Sequence, residues 1–442
     1  MSPESIASFA ATDVAARPAP ASEPAIAAET SSRDPHESSS EDVGRRDHFP
    51  CFDGLRALAA LCVVVFHVAA ATGVNVKHPT LGAYTARLGG VGVAIFFVIS
   101  GFLLYRPFAK AHLQDRPDPS TIGFYRRRFL RIFPAYWLVF TLYAFVLQLQ
   151  AVHGPREGVL YYGLLQLYGR HTVLTGLAQT WSLGTEVSFY VVLPLLALIA
   201  YPLTRTGKRT RAQQLRAEVA LVAALYLFAF AFRGWLLWAA PKSMGYAITW
   251  LPARLDWFAV GMALAVVSAW ATTGGRPPRV LSSLAAYPVI CWAFAAELVW
   301  VLAHMNLSRA FEPDGAAQQQ VLFAVLGVLA FFVVLPAVLG RQESGVIRRL
   351  LRSHPVAWLG VVSYGIFLWH TLWIREVEKW GHDHKALFQF WPMLGLVLAL
   401  TTVSAAATYY VVERPALKLK RPGSVKALWD RARVQVRRLV FR

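Results

Sequence analysis

The chain has 442 residues, of which 56% are hydrophobic and only 16% are charged. Soluble domains contain about 45–50% apolar residues, so this composition excludes an ordinary soluble two-domain protein and indicates a membrane protein. The net charge of +19 predicts no nucleic-acid partner, because the basic residues form short clusters between long apolar runs. Three cysteines in or beside apolar runs predict neither a disulfide framework nor a metal site.

Residues 1–48 are rich in Ala, Ser, Pro and Glu and lack the apolar run of a signal peptide, so we expect a disordered tail. From residue 51 onward, apolar segments approach the roughly 20 residues needed to cross a bilayer. They predict an all-α, polytopic membrane protein with about ten transmembrane helices, at 51–71, 89–107, 130–150, 186–203, 218–240, 250–271, 281–303, 318–340, 355–375 and 389–412. The twelve-residue aromatic run at 158–169 is too short to cross and predicts an interfacial or re-entrant piece.

The distribution of Lys and Arg predicts the orientation of these helices. The loops at 108–129, 204–217, 272–280 and 341–354 contain sixteen basic residues, whereas the opposite loops contain eight over a longer stretch. Because cytoplasmic loops keep the basic excess, we expect an inner-membrane protein with both termini in the cytoplasm. Residues 416–442 alternate apolar and basic residues at helical spacing, which predicts an amphipathic helix on anionic membrane lipids.

With this orientation, ionisable residues from six helices fall at one depth. The residues on outward-running helices lie about fifteen positions beyond the inner end, roughly 22–24 Å into a hydrocarbon core about 30 Å thick. Ionisable groups in a membrane are costly and normally face the bundle interior, so this layer is a candidate functional site. Its members are His67, Glu186, Arg233, Arg254, Asp256, Glu297 and His370.

A second cluster is basic and lies at the cytoplasmic ends of the helices. Arg128 and Arg131 are three residues apart, side by side on one helical face, and Arg56 lies about one turn into the first helix. The rigid fork of arginine suits the phosphate groups of a ligand. Anchoring to anionic lipid headgroups explains the same residues equally well.

The stretch "FDGLRALAALCVVVFHV" connects the two clusters. Arg56 and His67 are eleven residues apart, close to three helical turns, so both project from one face about 16 Å apart. The alternative is that Arg56 reaches the headgroups while His67 only bonds a neighbouring helix.

Three further stretches have both a functional and a structural interpretation. In "QTWSLGTEVSFY", Glu186 is either a site carboxylate or a favourable charge in the first turn of a helix. In "SYGIFLWH", His370 is either a second candidate base or a structural hydrogen-bond partner. In "FFVISGFLL", Ser100 and Gly101 are either candidate site residues at the depth of His67 or, more often for small residues, positions that permit close helix packing.

These stretches, with "RRRFLRIFPAYW" and the closing "VERP", resemble in their order the bacterial acyltransferase-3 family of integral membrane O-acyltransferases. The resemblance covers residues 51–415. It does not extend to the fused SGNH-hydrolase domain that some relatives contain. It implies transfer of an acyl group, often acetyl, from cytoplasmic acyl-CoA to a hydroxyl of an envelope polysaccharide, a lipid-linked saccharide or a secondary metabolite. The family's paired arginine and histidine fall on Arg56 and His67, its second arginine pair on Arg128 and Arg131, and its acid on Glu186.

The resemblance and the residues together predict roles in catalysis. Arg56, Arg128 and Arg131 would hold the phosphates of the donor, and no metal is implied. A sugar hydroxyl needs a base, and imidazole titrates close to the operating pH, so His67 is the predicted general base. Glu186 would orient its ring or bind the acceptor, and His370 is the second candidate base. Direct transfer and an acyl-histidine intermediate both stay open.

A proton-coupled transporter or flippase of a saccharide or lipid is the competing class. A layer of His, Glu, Asp and Arg would serve there as a proton relay. Such proteins commonly contain two similar halves, and this sequence shows no internal repeat, which favours the enzyme. A pure membrane scaffold would not explain the buried charges.

Overall fold

A computed structural model describes residues 49–204, 209–240, 244–309, 315–383 and 388–420. The predicted tail at 1–48, and all but the first five residues of the predicted tail at 416–442, lie outside these described residues.

Within the described ranges, ten main helical segments, two of them bent pairs, follow one another, with shorter helices between them. The first six are α1 (Phe52–Ala71), α2 (Pro79–Leu113), α3 (Thr121–Thr141), α4 (Trp181–Thr204), α5 (Arg211–Ala239) and α6 (Leu251–Thr272). Next come the bent pair α7a (Arg279–Ala286) and α7b (Pro288–His304), α8 (Ala316–Val338), the bent pair α9a (His354–Val361) and α9b (Ser363–Asp383), and α10 (Phe390–Thr408). A π-helical turn, Tyr409–Glu413, joins α10 to a final short helix, Arg414–Lys418.

The described residues contain eight helices long and apolar enough to span a membrane, or up to ten if each bent pair is one span. This confirms an all-α, polytopic membrane protein. Every predicted span overlaps a helix or a bent pair, and the main difference is length: α2 has 35 residues because its polar ends stay helical. The run at 158–169 forms the end of an eight-residue helix, Pro155–Tyr162, and a short 3-10 turn, Gln166–Tyr168.

The long helix α2 lies at the centre and packs against α1, α4, α5, α6, α7b and α8. Glycines permit the closest of these contacts. A Cβ on Gly101 would lie 2.2 Å from the Phe258 carbonyl oxygen, and one on Gly261 would lie 2.0 Å from the Val98 carbonyl oxygen. Without side chains at these positions the α2 and α6 backbones can touch, which is how helices gain van der Waals contact in lipid.

The two bends occur at short breaks, with angles of 91° in α7 and 70° in α9. The break in α9 matters for the site, because it starts α9b inside the bundle. Ser363 and Tyr364 at this start line a cavity, and the Tyr364 hydroxyl donates to the Ile132 carbonyl at 2.8 Å. This bond ties α9b to α3.

Candidate active site

Two cavities lie within the bundle and share the lining residues Val93, Ser182 and Phe367. The first, about 120 Å³, is the arginine cavity. Its charged lining residues are Arg56, Arg128, Arg131 and Glu186. The second, about 470 Å³, is the histidine cavity, and its charged or titratable lining residues are His67, Arg87 and Arg254. Because they share lining residues, the two cavities are neighbours within the bundle.

Helix α1 contributes Arg56 to the arginine cavity and His67 to the histidine cavity. This agrees with the prediction that one helical face connects a basic cluster to the histidine. The intervening residues are apolar or small, and several pack into the core, including Ala59, Ala60 and Val63. The same helix can therefore contact both ends of an extended ligand.

The arginines of the first cavity are only partly neutralised. Arg56 forms an ion pair with Asp53 at 2.7 Å, and Arg131 lies 3.6 Å from the buried carboxylate of Glu413. Nε of Arg128 is buried and has no hydrogen-bond partner among the residues that the structure describes. Such an orphaned donor in a cationic cavity fits an oxygen-rich anion such as a phosphate.

Lys420, just beyond the last short helix, adds to this positive field. Burial, together with the positive charges of Arg131, Arg128 and Arg127, lowers the pKa of its ammonium group to about 8. A lysine whose charge is repelled in this way reports a local excess of cations. This excess of positive charge favours a polyanionic ligand at the arginine cavity.

Glu186 does not lie beside His67, as the predicted orienting role requires. Its carboxylate accepts hydrogen bonds from the hydroxyls of Ser100 and Tyr190, the latter at 2.8 Å. The reason is the start of α4: the chain is already helical from Trp181, after a short turn at Ala178–Thr180. Glu186 therefore lies roughly 12 Å below the start of this span, deeper than predicted, and faces the arginines.

His370 occupies the position beside His67 that was predicted for Glu186. Nε2 of His370 lies 3.3 Å from Nδ1 of His67, and the ring centroids are 4.9 Å apart. His370 is fully buried, whereas the ring of His67 lines the histidine cavity. Of the two candidate bases, only His67 faces the space that a substrate can enter.

The backbone around the two rings indicates where their protons lie. Nδ1 of His67 is 2.9 Å from the Val63 carbonyl, and Nδ1 of His370 is 2.8 Å from the Phe367 carbonyl. Carbonyl oxygens only accept, so each Nδ1 carries a proton and each Nε2 carries a lone pair. The one Nδ1–H of His67 is then shared between the Val63 carbonyl and the Nε2 lone pair of His370, and the Nε2 lone pair of His67 is left to act as a base.

Other members of the predicted polar layer have different surroundings. Arg233 and Asp256 form a buried ion pair at 2.8 Å, and Arg254 lines the histidine cavity. Glu297 is exposed on α7b, so the prediction that it belongs to the interior layer is wrong. Its position fifteen residues into a helix gave its depth but not the face on which it lies.

Three residues of the site, Ser100, Tyr190 and Glu413, were not predicted to belong to it. Ser100 was interpreted as a packing residue, but it donates to Glu186, while the adjacent Gly101 does serve packing. Tyr190 is four residues after Glu186, so helical periodicity was a usable signal for this pair. Glu413 belongs to the quoted "VERP" stretch, but nothing in the sequence indicates its contact with Arg131.

Comparison with known proteins gives a consistent result. A family profile described as an acyltransferase domain matches residues 49–410. The chain is 26% identical to a putative peptidoglycan O-acetyltransferase, YrhL, of Bacillus subtilis, over 83% of this chain and 55% of the relative. It is 23% identical to the peptidoglycan O-acetyltransferase OatA of Listeria monocytogenes, over 84% of this chain and 56% of the relative.

A third relative is matched over most of its length. The putative membrane-bound transacylase BcsY of Komagataeibacter xylinus is 26% identical, with 87% of this chain and 86% of the relative aligned. The chain spans only about half of the first two relatives, 55% and 56%. No solved structure matches. With the family profile covering nearly all of the membrane helices, this multi-pass membrane protein belongs to the acyltransferase-3 family.

Proposed function

We propose that the protein is a membrane O-acyltransferase that moves an acyl group, acetyl in the simplest case, from cytoplasmic acyl-CoA to a hydroxyl of a carbohydrate. An envelope polysaccharide or a glycolipid is the proposed acceptor class. The observation that carries the proposal is that the arginine cavity and the histidine cavity are neighbours, with helix α1 lining both. Membership of the acyltransferase-3 family supports this function over a transporter or flippase.

The arginine cavity is the proposed entrance for the donor. Coenzyme A carries several phosphates, and Arg56, Arg128 and Arg131 offer forked donors to them. The positive-inside distribution of basic loops supports entry from the cytoplasm, with both termini on that side. The basic tail at 416–442 would then lie on the cytoplasmic leaflet.

The pantetheine arm would pass along α1 towards the histidine cavity. Glu186 lies on this route with its carboxylate fixed by Ser100 and Tyr190. The arm carries amide N–H groups, from which a fixed carboxylate can accept. We assign Glu186 to positioning of the donor in place of the triad role predicted from sequence.

In the proposed reaction, His67 Nε2 takes the proton of the acceptor hydroxyl as its oxygen attacks the thioester carbonyl carbon. The new C–O bond forms, the C–S bond breaks, and the coenzyme A thiolate leaves and takes up the proton from His67. The imidazolium formed in between is stabilised by the His370 lone pair at 3.3 Å. His370 is thus a positioning residue and His67 the base.

The test uses purified full-length protein in lipid nanodiscs with acetyl-CoA labelled in the acetyl group. We expect thioester cleavage or acyl transfer in the wild type. His67→Ala should lower kcat by about 10²–10⁴-fold, the usual contribution of a general base. His304→Ala is the matched control, because His304 is exposed on α7b, and it should leave kcat unchanged.

Two results would contradict the proposed function. Activity that survives in His67→Ala would remove the proposed base. Proton-coupled flux of a saccharide in proteoliposomes, without any turnover of acetyl-CoA, would show that the protein is a transporter and not an acyltransferase.

A further inference from the structure

The histidine cavity contains a positive charge that has no role in the proposed base catalysis by His67. Arg254, in the first turn of α6, lines this cavity and is only 6% exposed. Its Nε donates to the Ile248 carbonyl at 2.9 Å. Among the described residues, its terminal nitrogens have no hydrogen bond and its guanidinium has no ion pair.

Aromatic rings fix the position of this guanidinium. Its central carbon lies 4.0 Å from the ring centroid of Phe323, 4.9 Å from that of Trp257 and 5.3 Å from that of Trp181. The rings are themselves held, because Trp257 Nε1 donates to the Phe323 carbonyl at 2.9 Å. Cation–π contacts stabilise and orient a cation, but they leave its charge in place.

The nearest acidic residue is already engaged. One oxygen of Asp256 accepts from Arg233 Nη1 at 2.8 Å, and the other accepts from the Trp257 backbone N–H at 3.0 Å. Arg233 also donates to Gln320 at 2.9 Å. The charge of Arg233 is therefore matched by Asp256, whereas that of Arg254 has no counterpart of its own.

No carboxylate lines the histidine cavity in the part of the chain that the structure describes. Its second guanidinium, that of Arg87, donates to the carbonyls of Leu307 and Ser308 at 3.1 and 2.9 Å. A buried cation without a counter-ion is costly in a membrane protein and is a functional-site candidate. An anion brought by the substrate would remove that cost.

We propose that the histidine cavity binds an acceptor that carries a negative charge, a carboxylate or a phosphate group, through the Arg254 guanidinium. This inference rests on the proposed function, because it takes the ligand of this cavity to be the acyl acceptor. The acceptor class is then an acidic saccharide or a phosphate-linked saccharide. The forked guanidinium provides the anion contact, and the partly exposed ring of Trp181 provides an apolar surface for a sugar ring.

The test measures binding without any acyl donor, by isothermal titration calorimetry of the full-length protein in nanodiscs. The probes are methyl glucoside, glucuronate and glucose 1-phosphate. We expect at least one charged probe to bind about 10-fold to 100-fold more tightly than methyl glucoside. Preference for glucuronate would indicate a carboxylate, and preference for glucose 1-phosphate would indicate a phosphate.

Variants locate the anion site. Arg254→Gln should reduce the affinity for the charged probe to that for methyl glucoside, and Arg254→Lys should keep part of the preference. Arg156→Gln, at an exposed helix position, is the matched control and should bind like the wild type. If Arg254→Gln does not fold, the Arg128→Gln, Arg131→Gln double variant tests the location from the other side, because it should retain the preference.

Three results would overturn the inference: equal binding of charged and neutral probes by the wild type, full preference in Arg254→Gln, or loss of preference in the double variant only. His67→Ala should keep the ratio between the affinities for the charged probe and for methyl glucoside. An anion preference that depends on Arg254 would therefore stand even if no acyl transfer were found. Acyl transfer without such a preference would remove only this inference.

Discussion

The contact between the two histidines leads to a prediction about His370. In the proposed transition state His67 becomes positively charged, and Nε2 of His370 at 3.3 Å accepts its Nδ1 proton. A hydrogen bond to a charged group contributes about 1.5–3 kcal/mol. The distance exceeds the usual 2.9–3.0 Å, so we take the lower value, about 1.5 kcal/mol. His370→Leu should then lower kcat about 10-fold and leave the KM for acetyl-CoA unchanged.

A second substitution separates this role from simple packing. His370→Gln places an amide oxygen near the position of Nε2, so it should restore most of kcat, whereas both variants should bind acetyl-CoA normally. The assay is steady-state thioester cleavage in nanodiscs, with circular dichroism to confirm folding. Loss of activity in both variants as large as in His67→Ala would show that His370 is the base and would refute the assignment.

The remaining predictions concern the donor site and the packing of α2. Arg131→Ala should raise the KM for acetyl-CoA about 10-fold to 100-fold with kcat nearly unchanged, because it removes a charged contact to a part of the donor that does not react. Donor affinity should fall as the pH rises through about 8, where the Lys420 ammonium loses its proton and its attraction for phosphate, and Lys420→Met should remove this step in a binding titration. Gly261→Ala should destabilise the protein by about 1–3 kcal/mol, measured by thermal denaturation, because its Cβ would lie 2.0 Å from a backbone oxygen of α2. Gly395→Ala, which meets no atom within 4 Å, is the control.

Each of these has a contrary outcome. A fall in kcat without a change in KM for Arg131→Ala would place this arginine at the reaction centre. A donor affinity that is flat between pH 7 and 9 would exclude Lys420 from the donor site. Equal melting temperatures for the two glycine variants would show that the α2 and α6 contact relaxes freely.

Composition and apolar run length were enough to predict the helical fold, because a bilayer demands long apolar segments whatever their sequence. The shared face of Arg56 and His67 was also predictable, since it depends only on helical periodicity within one segment. Which residues share one face of a helix is set by the local geometry of that helix alone.

Contacts between helices were harder to predict. Depth alone placed Glu186, Glu297 and His67 in one layer, but depth carries no information about which face of a helix points inwards. An error of five residues at the start of α4 was enough to move Glu186 by about one and a half turns and pair it with Ser100. The His67 and His370 contact requires a particular side of α9b to face α1, and neither that side nor the bend that begins α9b follows from apolar run length.

The most direct test of the account is a cryo-electron microscopy structure of the full-length protein with an acetyl-CoA analogue whose thioester sulfur is replaced by carbon. We predict that its phosphates contact Arg128 and Arg131 and that its carbonyl carbon lies in the histidine cavity, within about 6 Å of His67 Nε2. That distance leaves room for one acceptor oxygen about 3 Å from each. A carbonyl that stays beside Glu186, or an analogue bound outside the two cavities, would contradict the account.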